Sequence, residues 1–516
     1  MMSSNKVKNF LIGKKRFQRA FPASVSALAL AACGSSSEED TVTTISTITP
    51  NITGDDDRNS LIGSADVNDV ITGLGGDDYI RALAGDDVIY GGSGNDMIWA
   101  DGGDDVIYGG EGNDTLRAGD GDDKSYGGAG NDVIYLSSGN DIEDGGDGND
   151  TIKILSENSS IPITFDLLLG QYYYTAQLSS SLINLVSIEN IESQASADTT
   201  VKDTPDANVI ATGTGNDDIY SVGGDDIIST GAGDDVVTLT IGAYVVDMGS
   251  GDDVVILPLS EALINGGTGS DTVSVREVDG FESVYLNLEN EFYFIESLGY
   301  AQDGLDKSLE NFENVTITGS VNSTIIGTSG ANTLTGSDGQ DKISGGSGND
   351  IISGGEANDT IDAEAGADSV TGGEGDDIFV QSLGDSIAAT AQTIAATGTI
   401  AAGDTITFGS GVDIYTDFES GNIQETIDTD NAGSTLVTII GQSELVLTNN
   451  ALTFASGNYV ASTGIFTITA DGAGADTLII DVDTTNSAVS GVLSTSTSMF
   501  LLQGIDSDTL VAGDFI

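Results

Sequence analysis

Histidine is absent from this chain of 516 residues, cysteine occurs once, and there are only five prolines and one tryptophan. Without histidine, the chain cannot form Ser-His-Asp triads, His-ligated zinc sites or histidine general bases. A single cysteine allows neither an internal disulfide nor a thiolate metal cluster. Any chemistry must therefore come from carboxylates, hydroxyls and the main chain.

Basic residues are scarce too: Lys and Arg total 15, against 82 Asp and Glu. Six of these cations precede Cys33 in a stretch without acids, which leaves nine cations against 82 acids in the rest of the chain. Such a surface repels nucleic acid and anionic membranes and attracts divalent cations. We therefore expect calcium-like cations as partners and no nucleic acid. No stretch after Cys33 is apolar enough to predict a membrane span.

Residues 1–33 have the pattern of a targeting sequence, with a basic stretch followed by a short apolar one. The run Leu30-Ala31-Ala32-Cys33 resembles a bacterial lipobox, which implies lipidation of Cys33. Residues 34–52 then form an acidic and Thr-rich linker, and Gly34 after the Cys fits outer-membrane sorting. On this interpretation the protein contacts a membrane only through a lipid anchor.

The main feature that is present is an Asp every nine residues, in one phase from Ser64 to Lys153. The unit Gly91-Gly92-Ser93-Gly94-Asn95-Asp96-Met97-Ile98-Trp99 combines a glycine-rich turn, a carboxylate and a three-residue strand. Two units make a coil of eighteen residues, and coils stack at the ordinary strand spacing of about 4.8 Å. The eighth residue of each unit should point inward. The period predicts an all-β fold, a repetitive parallel β-solenoid.

This unit resembles the G-G-x-G-x-D-x-U-x repeat of RTX (repeats-in-toxin) calcium-binding proteins. The resemblance implies a right-handed parallel β-roll, with Ca²⁺ held between turns by loop carbonyls and by the Asp at the sixth position. The Ca²⁺ ligands it implies are Asp69, Asp78, Asp87, Asp96, Asp105, Asp114, Asp123, Asp132, Asp141, Asp150, Asp217, Asp226, Asp235, Asp253, Asp271, Asp341, Asp350, Asp359, Asp368 and Asp377, with Gly92, Gly94, Gly110, Gly112, Gly128, Gly130, Gly346 and Gly348.

Electrostatics favours a bound cation, because carboxylates stacked about 5 Å apart repel by roughly 0.8 kcal/mol even in water. Ca²⁺ fits better than Mg²⁺, which demands octahedral geometry and gives up its water reluctantly. We expect about eight sites in the first block. The alternative, a disordered Gly- and Asp-rich segment, describes the calcium-free state.

The period divides the chain into three rolls, at 53–153, 203–274 and 317–380. Between them, 154–202 and 275–316 share a pattern in which an aromatic run precedes a Glu-Asn pair, and we interpret both as β-rich caps over the ends of the rolls. Residues 381–516 are predicted to be a further β domain. Its end resembles the tails of proteins exported by type I secretion, which conflicts with a lipobox, and the sequence leaves the export route open.

Sites eighteen apart share an edge, and the edges of the second roll differ. One keeps Asp217, Asp235, Asp253 and Asp271, whereas the other has Tyr244 and Ala262 at two of its sixth positions. We hypothesise that calcium lines mainly the first edge. The other would be an ion-free apolar ridge near Ile241–Tyr244 and Leu257–Ala262; decay of a redundant repeat is the alternative.

Ninth positions of the first roll should face solvent, with a Tyr ladder on one face. The opposite face has Arg81, Trp99, Arg117 and Tyr135, interpreted either as local charge relief or as a docking surface for glycan or protein. Two inward positions are polar, Ser125 and Glu143. Because a buried Glu is costly, we expect a distortion that places Ile142 inside instead.

These patterns favour a non-enzymatic calcium-binding protein, extracellular or on the outer-membrane surface of a Gram-negative bacterium. Its role would be structural or adhesive, with folding triggered by extracellular calcium. The alternatives are a surface-layer or matrix protein that assembles with itself and, less favoured, a carbohydrate-active enzyme using two carboxylates.

Overall fold

The computed structural model describes residues 51–155, 161–174, 183–257, 262–276, 281–297, 308–375 and 377–381, and beyond them strands between 392 and 502. Within these residues the fold is all-β, without a helix, and is a parallel β-solenoid of about 16 stacked turns. No helix in the described part of the chain is long and apolar enough to cross a membrane.

Strands recur every nine residues, because each unit alternates inward apolar with outward residues after a glycine-rich turn. The strands of the first roll are β1 Asn51–Thr53, β2 Ser60–Ile62, β3 Val70–Gly75, β4 Tyr79–Ala84, β5 Val88–Ser93, β6 Met97–Gly102, β7 Val106–Glu111, β8 Thr115–Asp120, β9 Lys124–Ala129, β10 Val133–Tyr135, β11 Ile142–Asp147 and β12 Thr151–Ile154. The first insert contains β13 Ile163–Asp166, β14 Gln171–Tyr174, β15 Ile183–Val186, β16 Asn190–Ser193 and β17 Thr199–Lys202.

The second roll and its insert continue in the same way. Their strands are β18 Val209–Ala211, β19 Asp218–Tyr220, β20 Ile227–Ser229, β21 Val236–Thr238, β22 Tyr244–Asp247, β23 Val254–Ile256, β24 Ala262–Asn265, β25 Thr272–Arg276, β26 Phe281–Asn287, β27 Phe292–Ser297, β28 Ser308–Glu310 and β29 Asn314–Thr318. The third roll contains β30 Asn322–Ile326, β31 Thr333–Thr335, β32 Lys342–Ser344, β33 Ser347–Gly348, β34 Ile351–Glu356, β35 Thr360–Asp362, β36 Ala365–Gly366, β37 Ser369–Glu374 and β38 Ile378–Gln381.

The C-terminal region is also built of strands, as the sequence predicts. These are β39 Gln392–Thr393, β40 Thr399–Ala401, β41 Thr405–Thr407, β42 Asp413–Tyr415, β43 Thr426–Thr429, β44 Glu444–Val446, β45 Leu452–Val460, β46 Ile465–Ile468, β47 Asp476–Asp481, β48 Val492–Leu493 and β49 Ser498–Leu502. The leader with Cys33 and the tail at 506–516 lie outside the described residues, so lipidation and export route stay predictions.

Successive coils pair in parallel with a register of eighteen residues. In one sheet Ile71 pairs with Ile89, and Ile89 with Ile107. In the opposite sheet Ile80 pairs with Ile98, and Ile98 with Leu116. The nine-residue phase therefore places consecutive units on opposite faces, as predicted.

The core is a column of the predicted eighth-position residues. In the first two rolls all of them are buried, from Ile71 to Ile152 and from Ile210 to Val273. The expected distortion at Glu143 was wrong: its side chain is 0% exposed, and Ile142 is only half-buried. The register persists because Glu143 pairs with Ser125 on one side and Leu185 on the other, and slipping by one residue would break both ladders.

The first insert does not cap a free end; its strands continue both sheets between the rolls. In one sheet β11 pairs with β15, which joins β14 and β13 in an antiparallel meander before β17. In the other sheet β12 pairs with β16, and β16 with β18. Pairing of these strands satisfies main-chain groups that a separate cap would leave at an edge.

The second insert continues one sheet and replaces the other. Strand β29 lies between β25 and β31, so one sheet runs on. The other sheet of the second roll has β28 as its last strand, and a seven-stranded sheet starts with the antiparallel hairpin β27–β26 followed by β30, β32, β35, β38 and β43. The exact domain boundaries given above stay predictions.

Candidate metal sites in the carboxylate rows

The predicted Asp ligands lie in rows that run along the solenoid, and each is buried. Except at Asp69, one oxygen of each carboxylate joins two coils: the main-chain N–H of Asp96 donates to Asp114 Oδ1 at 2.7 Å, and that of Asp114 to Asp132 Oδ1 at 2.7 Å. The second and third rolls repeat this bond, for example from Asp235 to Asp253 and from Asp341 to Asp359, both at 2.8 Å. The carboxylates therefore also supply hydrogen bonds between the coils, a role that sequence reasoning missed.

At most of these sites the other carboxylate oxygen, Oδ2, has no hydrogen-bond partner. In the described residues, a buried Oδ2 without a hydrogen-bond partner occurs at Asp78, Asp87, Asp96, Asp105, Asp114, Asp123, Asp132, Asp150, Asp217, Asp235, Asp253, Asp271, Asp350 and Asp359. A buried carboxylate oxygen left unpaired is costly, so it calls for a proton or a cation.

Four predicted ligands differ, because a serine contacts their second oxygen. At Asp69, Oδ2 accepts from the main-chain N–H of Ser64 at 2.5 Å. Ser221 Oγ donates to Asp226 Oδ2 at 2.7 Å, and the main-chain N–H of Ser337 donates to Asp341 Oδ2 at 2.6 Å. The Ser137 hydroxyl donates more weakly to Asp141 Oδ2, at 3.4 Å. These serines interrupt the rows of orphaned oxygens.

A main-chain carbonyl from the next coil converges with the orphaned oxygen at a glycine. A Cβ built on Gly91 would overlap both Asp96 Oδ2 and the carbonyl oxygen of Gly109, and one on Gly109 would overlap Asp114 Oδ2 and the Gly127 carbonyl. The first position of the repeat, which is absent from the predicted ligands, therefore supplies an oxygen beside the carboxylate. The first Gly of the G-G-x-G-x-D unit was the signal for it.

The predicted glycine ligands have a clear backbone role. Gly92, Gly94, Gly110, Gly112, Gly128, Gly130, Gly346 and Gly348 all have positive φ. A Cβ on Gly110 would also overlap the carbonyl oxygen of Gly92, one coil earlier. Only glycine allows this conformation and this approach together. Ligation by their carbonyls stays a prediction.

Burial and neighbouring carboxylates raise the pKa of Asp residues in the rows. Burial raises the pKa of Asp105 to about 8, with Asp123 and Asp87 adding to the shift, while the bond from the Asp87 main chain lowers it. The same causes raise the pKa of Asp114 to about 7 and that of Asp359 to about 8. Ionised carboxylates in these rows are therefore destabilised by burial and by mutual repulsion. A bound cation would offset both effects.

In the second roll, threonine, tyrosine and alanine side chains occupy several repeat positions next to the carboxylate rows. Thr212 Oγ1 donates to the Thr230 carbonyl at 2.9 Å, and Thr230 Oγ1 to the Met248 carbonyl at 2.8 Å, where the same edge of the first roll has alanines. On the opposite edge, Tyr244 and Ala262 occupy sixth positions and are 2% and 1% exposed. Both point inward, so they are not part of an exposed ridge. The absence of calcium there stays a prediction.

The Glu-Asn pairs of the two inserts end each row in the same way. The main-chain N–H of Asp150 donates to Glu189 Oε2 at 2.8 Å, and that of Asp271 to Glu313 Oε2 at 2.9 Å. In both inserts, a Glu carboxylate thus accepts the hydrogen bond that a sixth-position Asp accepts within the rolls. The adjacent Asn190 and Asn314 then accept the N–H groups of Val209 and Thr333, both at 2.8 Å. The similarity of the inserts indicated this equivalence, although sequence analysis assigned no role to these residues.

The donor set fits a hard divalent cation. Orphaned carboxylate oxygens and main-chain carbonyls are the oxygen ligands that Ca²⁺ takes. Within the described residues no three acidic side chains form a metal-binding group. Most ligands at any one site would therefore be carbonyls, which is consistent with one Asp for each glycine-rich turn.

Comparison with known proteins agrees with this donor set. The model for the RTX calcium-binding nonapeptide repeat (4 copies) matches residues 65–98, 84–116, 99–133, 117–152, 204–237, 317–352 and 344–379. This chain carries RTX calcium-binding nonapeptide repeats. The matched segments lie in all three predicted rolls, where the RTX repeats build the carboxylate rows described above.

Solved structures were compared as well. One similar structure is the X-ray crystal structure of a hyperactive, Ca²⁺-dependent, β-helical antifreeze protein from an Antarctic bacterium. It is 16% identical, covers 66% of this chain and 86% of its own, and has a TM-score of 0.16. No curated protein matches the chain.

The outward aromatic rows of the first RTX roll are in the predicted places. Tyr90, Tyr108 and Tyr126 stack with centroids 5.0 Å apart and interplanar angles of 5° and 9°. On the opposite face Arg81, Trp99, Arg117 and Tyr135 are cross-strand neighbours. Arg81 Nε lies 2.6 Å from Asp101 Oδ2, which supports local charge relief. A docking role for this row stays a prediction.

Proposed function

We propose that this protein is a secreted or cell-surface, non-enzymatic calcium-binding protein with a structural or adhesive role, whose RTX rolls fold on binding extracellular Ca²⁺. The observation that carries the proposal is the series of buried, unpartnered Asp Oδ2 atoms, one for each nine-residue unit from Asp78 to Asp132. An ionised row of this kind opposes its own stacking. Bound calcium supplies the positive charge that removes this repulsion.

The switch follows from this electrostatic balance. At low calcium the rows repel and the chain stays unfolded, a state suited to export from a bacterium. Millimolar calcium, the range in which extracellular modules bind, would stabilise the coils. Because each carboxylate also bonds the coil before it, ordering one turn helps to order the next. Filling of the sites should therefore be cooperative.

A calcium titration of the full chain tests the proposal. Far-UV circular dichroism follows β-structure over the whole chain, and emission from Trp99, the single tryptophan, follows the first roll alone. We expect a steep gain of both signals below about 10 mM Ca²⁺, and little gain with Mg²⁺. No gain of β-structure with calcium would contradict the central claim.

A second candidate is calcium-dependent self-assembly into a surface layer or matrix. An exposed aliphatic column favours it: Val209, Ile227, Val245 and Leu263 are cross-strand neighbours and are between 43% and 53% exposed. Contiguous apolar surface of this kind marks interaction sites. Light scattering during the same titration separates the two candidates, since only assembly raises the scattering.

A further inference from the structure

A groove of about 390 Å³ lies on the seven-stranded sheet, and Ser323 and Asp341 of a carboxylate row are among its lining residues. Its lining includes Tyr285, Phe294, Thr324, Lys342 and Thr360. These five are cross-strand neighbours on successive strands. Phe294 lies on β27 and Tyr285 on β26, and they are followed by Thr324 on β30, Lys342 on β32 and Thr360 on β35. At about 4.8 Å for each strand, they form a linear floor of roughly 20 Å along the solenoid axis.

A second column runs beside the floor and consists of amide side chains. Asn322, Gln340 and Asn358 each stand two residues before a floor residue, and all three line the groove. The main-chain N–H of Gln340 donates to Asn322 Oδ1 at 2.9 Å, which orients that amide along the column. The groove thus offers a repeated pairing of amide with hydroxyl or ammonium groups, one set for each coil.

Aromatic residues of the second insert form one end of the groove. Tyr293 is buried, at 2% exposure, but its neighbours point outward because strand residues alternate. Tyr285 stacks on Phe294 at 4.7 Å and 2°, and on Phe292 at 5.4 Å and 21°. Phe292 is 37% exposed. Nothing in the carboxylate rows requires three outward rings here.

We propose that this groove binds a linear polysaccharide. Amide side chains both donate and accept, as a hydroxyl-rich ligand requires. The outward rings supply the apolar contact that sugar rings offer on their faces, at one end of a groove whose other lining residues are mostly polar. The regular spacing of the two columns suits a polymer that repeats along its length.

Other ligand classes fit the groove less well. Nucleic acid is repelled by a chain with net charge −67. An extended peptide binds by adding a strand to a free sheet edge, whereas this groove lies on the face of the sheet. Lys342 and the buried Asp341 are the charged residues of the groove's lining, which favours a neutral glycan and permits a weakly anionic one.

The groove depends on the carboxylate ladder beneath it, so this proposal rests on the proposed calcium-dependent folding. Ser323, Asp341 and Asp359 stand in sequence between the two columns. The main-chain N–H of Ser323 donates to Asp341 Oδ1 at 2.6 Å, and that of Asp341 to Asp359 Oδ1 at 2.8 Å. These bonds fix the spacing of the strands that carry the groove.

Calorimetric titration of the full chain in about 5 mM Ca²⁺ tests the proposal. The probes are cellohexaose as a neutral glycan, chitohexaose as an acetamido glycan and a hyaluronan oligosaccharide as an anionic one. We expect saturable binding of at least one probe. The double variant Tyr285→Ser and Phe294→Ser should weaken it by roughly tenfold or more.

Two further variants keep the test decisive. Gln340→Ala with Lys342→Ser changes only exposed side chains and should weaken binding even if the aromatic variant fails to fold. The matched control, Tyr90→Ser with Tyr108→Ser, removes stacked tyrosines from the first roll and should leave binding unchanged.

The outcomes are distinct. Binding of no probe by a chain that circular dichroism shows to be calcium-folded overturns the groove proposal alone. Equal affinity in the Gln340→Ala and Lys342→Ser variant, or loss in the Tyr90 control, also overturns it. A chain that never folds with calcium contradicts the proposed function instead.

Discussion

The first and second RTX rolls build the same solenoid with different chemistry in their rows. In the first, glycines leave the orphaned Asp oxygens facing main-chain carbonyls, as at Gly91 and Asp96. In the second, on the other edge, Thr212 and Thr230 place hydroxyls at first positions where the first roll has alanines such as Ala100, and both hydroxyls donate to the next coil. Tyr244 and Ala262 replace two carboxylates outright. The coil geometry thus tolerates loss of the ion-binding pattern as long as internal bonds replace it.

Removal of charge from the first roll should have the largest effect. The double variant Asp96→Asn and Asp114→Asn keeps an acceptor for the N–H groups of the preceding coils but removes two anionic ligands. We expect the calcium concentration for half-maximal Trp99 emission to rise by roughly tenfold or more.

The matched variant, Asp235→Asn with Asp253→Asn in the second roll, should leave the Trp99 transition nearly unchanged. An equal shift in both variants would show that the two rolls fold as one unit and would erase the contrast between them.

Acid should partly replace calcium. The pKa of Asp105 is raised to about 8 and that of Asp114 to about 7, so the folded rows bind protons more tightly than the unfolded chain. Without calcium, this stabilisation is complete below the unfolded pKa of about 3.9 and is lost as the pH rises through about 7 to 8. Circular dichroism in EGTA should show more β-structure at pH 4 than at pH 8. The opposite trend would contradict the raised pKa values of the buried Asp residues.

Glycine substitution should distinguish backbone strain from ion binding. Gly110→Ala forces a methyl group onto the Gly92 carbonyl at a φ of 126° and should cost about 1–3 kcal/mol of unfolding free energy, or more. Gly102→Ala is the control, because its Cβ would meet only Asp120, at 3.8 Å or beyond. Urea unfolding in saturating calcium, followed by Trp99, measures both. Equal costs would contradict the close approach of the coils.

The buried Glu143 gives the first roll a polar core position that the second lacks. Burial raises the pKa of Glu143 well above its ordinary value, with Asp141 contributing. Glu143→Gln should therefore stabilise the protein by about 1–3 kcal/mol at pH 8, with little effect near pH 4, where the unfolded carboxyl is also protonated. Urea midpoints at both pH values, with saturating calcium at pH 8, test this. A loss of stability at pH 8 would indicate a structural role for the carboxylate.

The smallest effect should come from the hydroxyls of the second roll. Thr230→Val removes the 2.8 Å bond to the Met248 carbonyl and should cost about 1 kcal/mol. Thr238→Val, on an outward position, is the control. Circular dichroism during urea unfolding measures the difference. A cost that vanishes at high calcium would show that an ion replaces the hydroxyl.

The sequence by itself determined the all-β solenoid, the eighteen-residue register and the buried eighth positions, because a strict period leaves one way to bury the aliphatic residues. It also located the Asp rows. It misjudged Glu143, since the cost of one buried carboxyl is smaller than the cost of breaking two ladders.

Only the tertiary structure decided how the carboxylates divide their two oxygens. Oδ1 of Asp114 bonds a main-chain N–H eighteen residues earlier, and such a partner becomes a neighbour only when coils stack. The same holds for Glu189 and Glu313, which reach back 39 and 42 residues. It holds too for the groove of Tyr285 and Gln340, whose strands the fold brings together. Contacts between distant residues depend on the path of the chain through the inserts, where the repeat is interrupted and its period predicts nothing.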